Sequence, residues 1–152
     1  MGEGSSIEEI FELAITREVE AHQFYLDLVR RTKNPMMKKI FRELAEEELE
    51  HKAKFELEIM KEGKVVATAE KAADFNLSSY LENAEDVREM DYKDMLIMAI
   101  AKEKRSVRFY IELAALVKDK ESRDVLVSLA EEEAKHEARF QIEYDQLVRA
   151  KD

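Results

Sequence analysis

LAEEELEHKAKF (residues 44–55) and LAEEEAKHEARF (residues 129–140) are one segment written twice, 85 positions apart. In each copy a Leu and a Phe sit at helical spacing on an apolar stripe. A Glu-x-x-His pair interrupts that stripe: Glu48 with His51, and Glu133 with His136. Residues three apart share one face of a helix. Acid and imidazole therefore occupy a face that a folded helix would turn toward its core.

Working outward, the same shift lays REVEAHQFYLDL (17–28) on KEKRSVRFYIEL (102–113), and no gap is needed from residue 7 to residue 63. About 16 of these 57 positions are identical, which marks a duplicated helical hairpin rather than a solenoid of many short repeats. The first helix spans about Ile7 to Thr32, with Ser6 and Glu9 at capping-box spacing. Asn34 and Pro35 read as cap and first residue of the second helix, which runs to about Glu62 before Gly63 stops it. Asp91 is placed to cap a third helix reaching Lys118. Asp119 is placed to cap a fourth that continues nearly to the end. The expected layout is one domain: a hairpin over 7–62, a crossover over 63–90 with a short helix starting at Ser78 or Ser79, and a hairpin over 91–150. The fold class expected is all-α, a four-helix bundle of the ferritin-like type, which uses one such long connection.

Each helix puts acid on its apolar stripe. Glu18 interrupts Ile7, Phe11, Ala14, Tyr25 and Leu28. Glu48 and His51 interrupt Ile40, Leu44, Phe55 and Ile59. Glu103 interrupts Met95, Ala99, Tyr110, Leu113 and Val117, and Glu133 with His136 interrupts Leu126, Leu129, Phe140 and Leu147. Height gives a second test. Glu18 lies 16 residues before Asn34, and Glu48 and His51 lie 14 and 17 after it. At about 1.5 Å rise per residue, antiparallel helices bring all three to one level. Glu103, Glu133 and His136 keep the same offsets from Asp119. Buried carboxylates repel one another and pay for desolvation unless cations balance them. A Glu from each of two helices with Glu-x-x-His from the other two is the donor set of di-metal bundles.

Composition narrows the function classes. The 152 residues carry a net charge of −10, so nucleic acid and acidic membrane surfaces are not expected partners. The absence of Cys rules out disulfides, thiolate metal sites and Cys nucleophiles. No apolar run approaches membrane-spanning length, and the opening MGEGSS lacks the apolar core of a signal peptide, so the expected compartment is cytoplasmic. That opening also fits the bare N-myristoylation pattern, which short sequences match by chance.

At Glu18, Glu48, His51, Glu103, Glu133 and His136 the chain resembles the rubrerythrin-like branch of the ferritin-like di-iron proteins. The resemblance covers nearly the whole chain. It implies two iron ions, with Glu48 and Glu133 bridging, Glu18 and Glu103 terminal, and His51 and His136 each holding one iron. It further implies an oxidoreductase that reduces hydrogen peroxide or dioxygen, working as a homodimer. The sequence departs from that family in two places. Rubrerythrins place a further Glu one turn after the third-helix ligand, where this chain has Ser106 and, in the repeat, Ala21. They also carry a rubredoxin-type Cys site, and this chain has no Cys. An external electron donor would have to supply reductant. The same donor set also suits iron oxidation and storage without turnover, or a structural bundle holding manganese or zinc, which share carboxylate and imidazole preference with iron.

Three further groups are weighed. His22, one turn after Glu18, is a supporting partner of the ligands, an extra ligand, or a locally bonded histidine. Tyr25 and Tyr110 read chiefly as core aromatics. Glu46, Glu47, Glu131 and Glu132 read chiefly as lining solvated faces; the alternative for Glu47 and Glu132, one turn before the His ligands, is to orient those rings.

Overall fold

The computed structural model describes residues 7–61 and 91–151. Ser6, Gly63, the crossover with Ser78 and Ser79, and the MGEGSS pattern lie outside them. The described residues form four helices: α1 (Ile7–Arg31), α2 (Pro35–Lys61), α3 (Tyr92–Leu116) and α4 (Lys120–Lys151). They fall into two compact units, each holding one hairpin, and each hairpin is described by itself.

In the first hairpin α1 packs on α2. The turn between them is set by side chains. Asn34 Oδ1 accepts from the backbone N–H groups of Met36 (2.9 Å) and Met37 (3.3 Å), and Thr32 Oγ1 accepts from Asn34 N–H at 3.2 Å. Pro35 takes the first helical position, where its missing N–H costs nothing. Acids at Glu8 and Glu9 and bases at Arg30 and Arg31 complement the dipole of α1. The core between the helices holds Phe11, Ala14, Phe24, Tyr25, Leu28, Phe41, Leu44, Phe55 and Ile59. Phe11 and Phe55 meet across the pair with ring centroids 5.4 Å apart, and Tyr25 stacks on Phe41 at 6.1 Å. The stripe of α2 is entered through Met37 and Phe41; Ile40, expected there, is only half-buried. Ile40 lies one residue off the centre line drawn by Phe41, Leu44, Glu48 and Phe55.

The second hairpin packs α3 on α4 by the same means. Asp91 sits in extended backbone (φ −83°, ψ 175°) and accepts from Asp94 N–H at 2.8 Å. Asp119 Oδ2 accepts from Ser122 N–H at 2.9 Å. Both predicted caps therefore form. α3 stops two residues earlier than expected, at Leu116. Val117 is extended (φ −101°, ψ 127°), and its N–H bonds back to Ala114 O at 3.2 Å. A β-branched residue leaves a helix end readily, and this one turns its side chain into the core, 4% exposed. Its stripe is Met95, Ala99, Tyr110 and Leu113 against Leu126, Leu129 and Phe140, while Leu147 is half-buried near the end of α4. Tyr92 ties the start of α3 to α4 by donating to Glu143 Oε2 at 3.0 Å. Burial first, then that bond and the negative charge of Glu143, push the phenol up to about 12. No described helix is long and apolar enough to cross a membrane.

Candidate metal centre

All six sequence-predicted residues lie on buried helix faces. Glu18, Glu48, Glu103 and Glu133 are at most 1% exposed, and His51 and His136 are 4% and 9% exposed. The hairpin geometry explains the gathering: antiparallel helices joined by three residues bring positions equidistant from the turn to one height.

In the first hairpin His51 Nδ1 stands 3.4 Å from Glu18 Oε1 and 3.2 Å from Glu48 Oε1. In the second, His136 Nδ1 stands 3.7 Å from both Glu103 Oε2 and Glu133 Oε2. The donor atoms within each trio all lie within 4.8 Å of one another. Ligands about 2.1 Å from one ion stand roughly 3.0–3.4 Å apart at ordinary coordination angles. The first trio already has those spacings, and the second is slightly wider. Carboxylate oxygen with imidazole nitrogen is a donor set for iron, manganese or zinc. The residues fit a metal.

The second trio contains a group that the sequence reading did not single out. Lys102 is 2% exposed. Its Nζ donates to Glu103 Oε1 at 3.0 Å and lies 3.7 Å from Glu133 Oε2. Burial works to raise the Glu103 carboxyl, but the Lys102 ammonium, with Glu133 and His136, holds it well below the usual range. Burial works to lower the His136 imidazole, but Glu103 and Glu133 outweigh it and push it up to about 11. The Lys102 ammonium thus lies against both acids of this trio. A signal for Lys102 existed. It lies three residues after Ala99 and four before Ser106, both buried, and so belongs to the same stripe.

The other weighed residues are placed as follows. His22 is half-buried, and its Nδ1–H donates to Ala45 O at 2.9 Å, bonding α1 to α2. Among the described residues it joins neither donor cluster. Tyr25 and Tyr110 are fully buried with aromatic neighbours, Phe24 at 5.1 Å and Phe109 at 5.3 Å. Glu47 and Glu132 are half-buried; Glu46 and Glu131 are exposed. Ser106 and Ala21, where rubrerythrins have an added carboxylate in one repeat, are both buried and cannot supply one.

A helical fold carrying paired Glu/His clusters on its buried faces defines a metal-binding carboxylate protein of the ferritin-like class. The rubrerythrin family model matches residues 9–144, and the chain belongs to the rubrerythrin family of di-iron carboxylate proteins. A solved structure, a hypothetical protein from Pyrococcus furiosus, is similar over 95% of this chain and 91% of its own, with 27% identity and a TM-score of 0.68. These matches give the fold class as a ferritin-like four-helix bundle. No curated protein matches the chain.

Proposed function

We propose that the protein binds two iron ions, through Glu18, Glu48 and His51 and through Glu103, Glu133 and His136, and reduces hydrogen peroxide or dioxygen. The observation that carries this reading is the twinned trio of buried donors, one per hairpin, with spacings that suit a shared ion. Bound iron would supply one electron per ion, two in all, for the reduction. The chain's own residues do the rest. The four carboxylates would offset the charge of the cations. Each histidine would hold its ion from the second helix of its hairpin. The apolar residues above and below, Phe11, Phe55 and Leu129 among them, exclude water and stray reductants. With no Cys in the chain, electrons come from a separate donor. A homodimer is the expected assembly; sizing by light scattering would reveal a large shell if the protein stored iron instead.

The test is anaerobic titration of metal-free protein with Fe(II), followed by one pulse of peroxide while ferric absorbance is recorded. Two equivalents bound per chain and prompt oxidation are expected. Replacing Glu48 and Glu133 together by Ala should abolish both. Peroxide turnover that survives the double change would sink the assignment.

A further inference from the structure

We infer that Lys102 is a positioning residue for the second trio: by holding Oε1 of Glu103, it makes Glu103 present Oε2 alone to an ion. The inference rests on the two-metal reading above and specifies how one of its ligands binds.

Sequence neighbours on a helix do not face each other, so a bond from Lys102 to Glu103 is not a product of α3 by itself. It forms because both residues lie in the interior, 2% and 0% exposed, where a charged group must meet opposite charge. The flexible four-carbon stem of the lysine carries its head group across. The Nζ donates to Glu103 Oε1 at 3.0 Å, a charge-assisted bond of the stronger kind. The other oxygen of the same carboxylate, Oε2, stands 3.7 Å from His136 Nδ1. Glu133 Oε2 stands 3.7 Å from that nitrogen too. The two oxygens of Glu103 are therefore divided: one meets a protein cation, the other faces the remaining donors of the trio.

A carboxylate can meet a metal ion through one oxygen or through both. Contact through both would draw Glu103 Oε1 away from the Lys102 ammonium. Glu133 Oε2 lies 3.7 Å from Nζ, beyond hydrogen-bond distance, and as placed does not replace that bond. Losing a bond to a buried charge costs more than losing a neutral one. One-oxygen contact keeps the bond, and metal-binding carboxylates are commonly fixed by such a neighbour. It also leaves that ion one more position for a small ligand than two-oxygen contact would. The ammonium adds positive charge near the ion, which works against affinity. Orientation and affinity are thus separate effects of one lysine, and the test must read the first.

The experiment is infrared difference spectroscopy, zinc-loaded minus metal-free, on wild type, Lys102→Met and Lys102→Arg, with zinc bound per chain counted in each. Zinc has no redox chemistry of its own, so no oxidation step intrudes. The gap between the asymmetric and symmetric carboxylate stretches is wide for one-oxygen contact and narrow for two-oxygen contact. Wild type should show a widely split pair. Lys102→Met should lose that pair and gain a narrowly split one at equal zinc content. Lys102→Arg, which keeps a charged donor, should retain the wild-type pattern. A lysine that served only to support the fold would not move these bands, and circular dichroism of each metal-free variant verifies folding. A wild-type spectrum without a widely split pair would overturn the inference whatever the variants do. So would an unchanged pair in folded, zinc-loaded Lys102→Met. Either result leaves two-metal binding intact, whereas wild type that takes up neither zinc nor Fe(II) would overturn both readings.

Discussion

Asp119 shows how one exposed side chain governs a helix end. Its carboxylate receives the backbone N–H of Ser122, and the Ser122 amide and hydroxyl hold its pKa below the usual value. A depressed pKa means that the folded state favours the charged form. The stabilisation is therefore present above the ordinary value and lost as pH falls through the folded one. Asp119→Ala should lower the urea midpoint at neutral pH, and the gap to wild type should close as pH drops below about 4; a gap that ignores pH would mean that the cap does not act through its charge. This cap was legible in the sequence because its chemistry is local. The six Glu and His residues were legible for another reason: the 3.6-residue period places them where apolar side chains belong. Lys102 obeys that period too, yet beside Glu103 in a stretch as charged as AKEKR it reads as solvated surface. Only the packing of α3 on α4 distinguishes an internal lysine from an exposed one.

At the scale of the helix, the duplicated stripes were read nearly as they form, because repeated hydrophobic spacing averages over single-residue error. The ends and edges were not. The end of α3 depends on Val117 finding a place in the core, a tertiary effect that no local pattern reports. Phe41, not Ile40, lies on the buried face that also carries Leu44, Glu48 and Phe55. One contact across this hairpin is testable. Phe55 is fully buried and meets Phe11 from the opposite helix. Phe55→Ala should cost about 3–5 kcal/mol, transfer and cavity terms together. Phe55→Leu, which refills most of the space, should cost clearly less. Equal losses, measured by urea unfolding of the metal-free protein, would mean that filled volume matters little there and that the contact between the two rings carries the stability.

For the whole molecule, the same acids that suit a metal work against the metal-free fold. The chain has a net charge of −10, and four of its acids are buried at the candidate centre. Carboxylates buried close together are poorly solvated and repel one another, a cost that removing one charge relieves. Functional sites are accordingly places where stability is given up. Glu48→Gln keeps the shape of the side chain and removes one such charge. In the presence of chelator its melting temperature should equal or exceed that of wild type. With Mn(II) present at about a hundred times the dissociation constant, wild type should gain about 2.7 kcal/mol per ion bound. In a domain of this size that is a rise of roughly 5–11 °C. The variant, with its first trio incomplete, should gain much less, so the two proteins should exchange order as metal is added. A Glu48→Gln protein that melts below wild type in chelator, and rises in parallel with it on adding Mn(II), would mean that Glu48 serves the fold and not an ion. The exchange of order is the signature of a site in which the cation completes a charge balance that the polypeptide alone leaves strained.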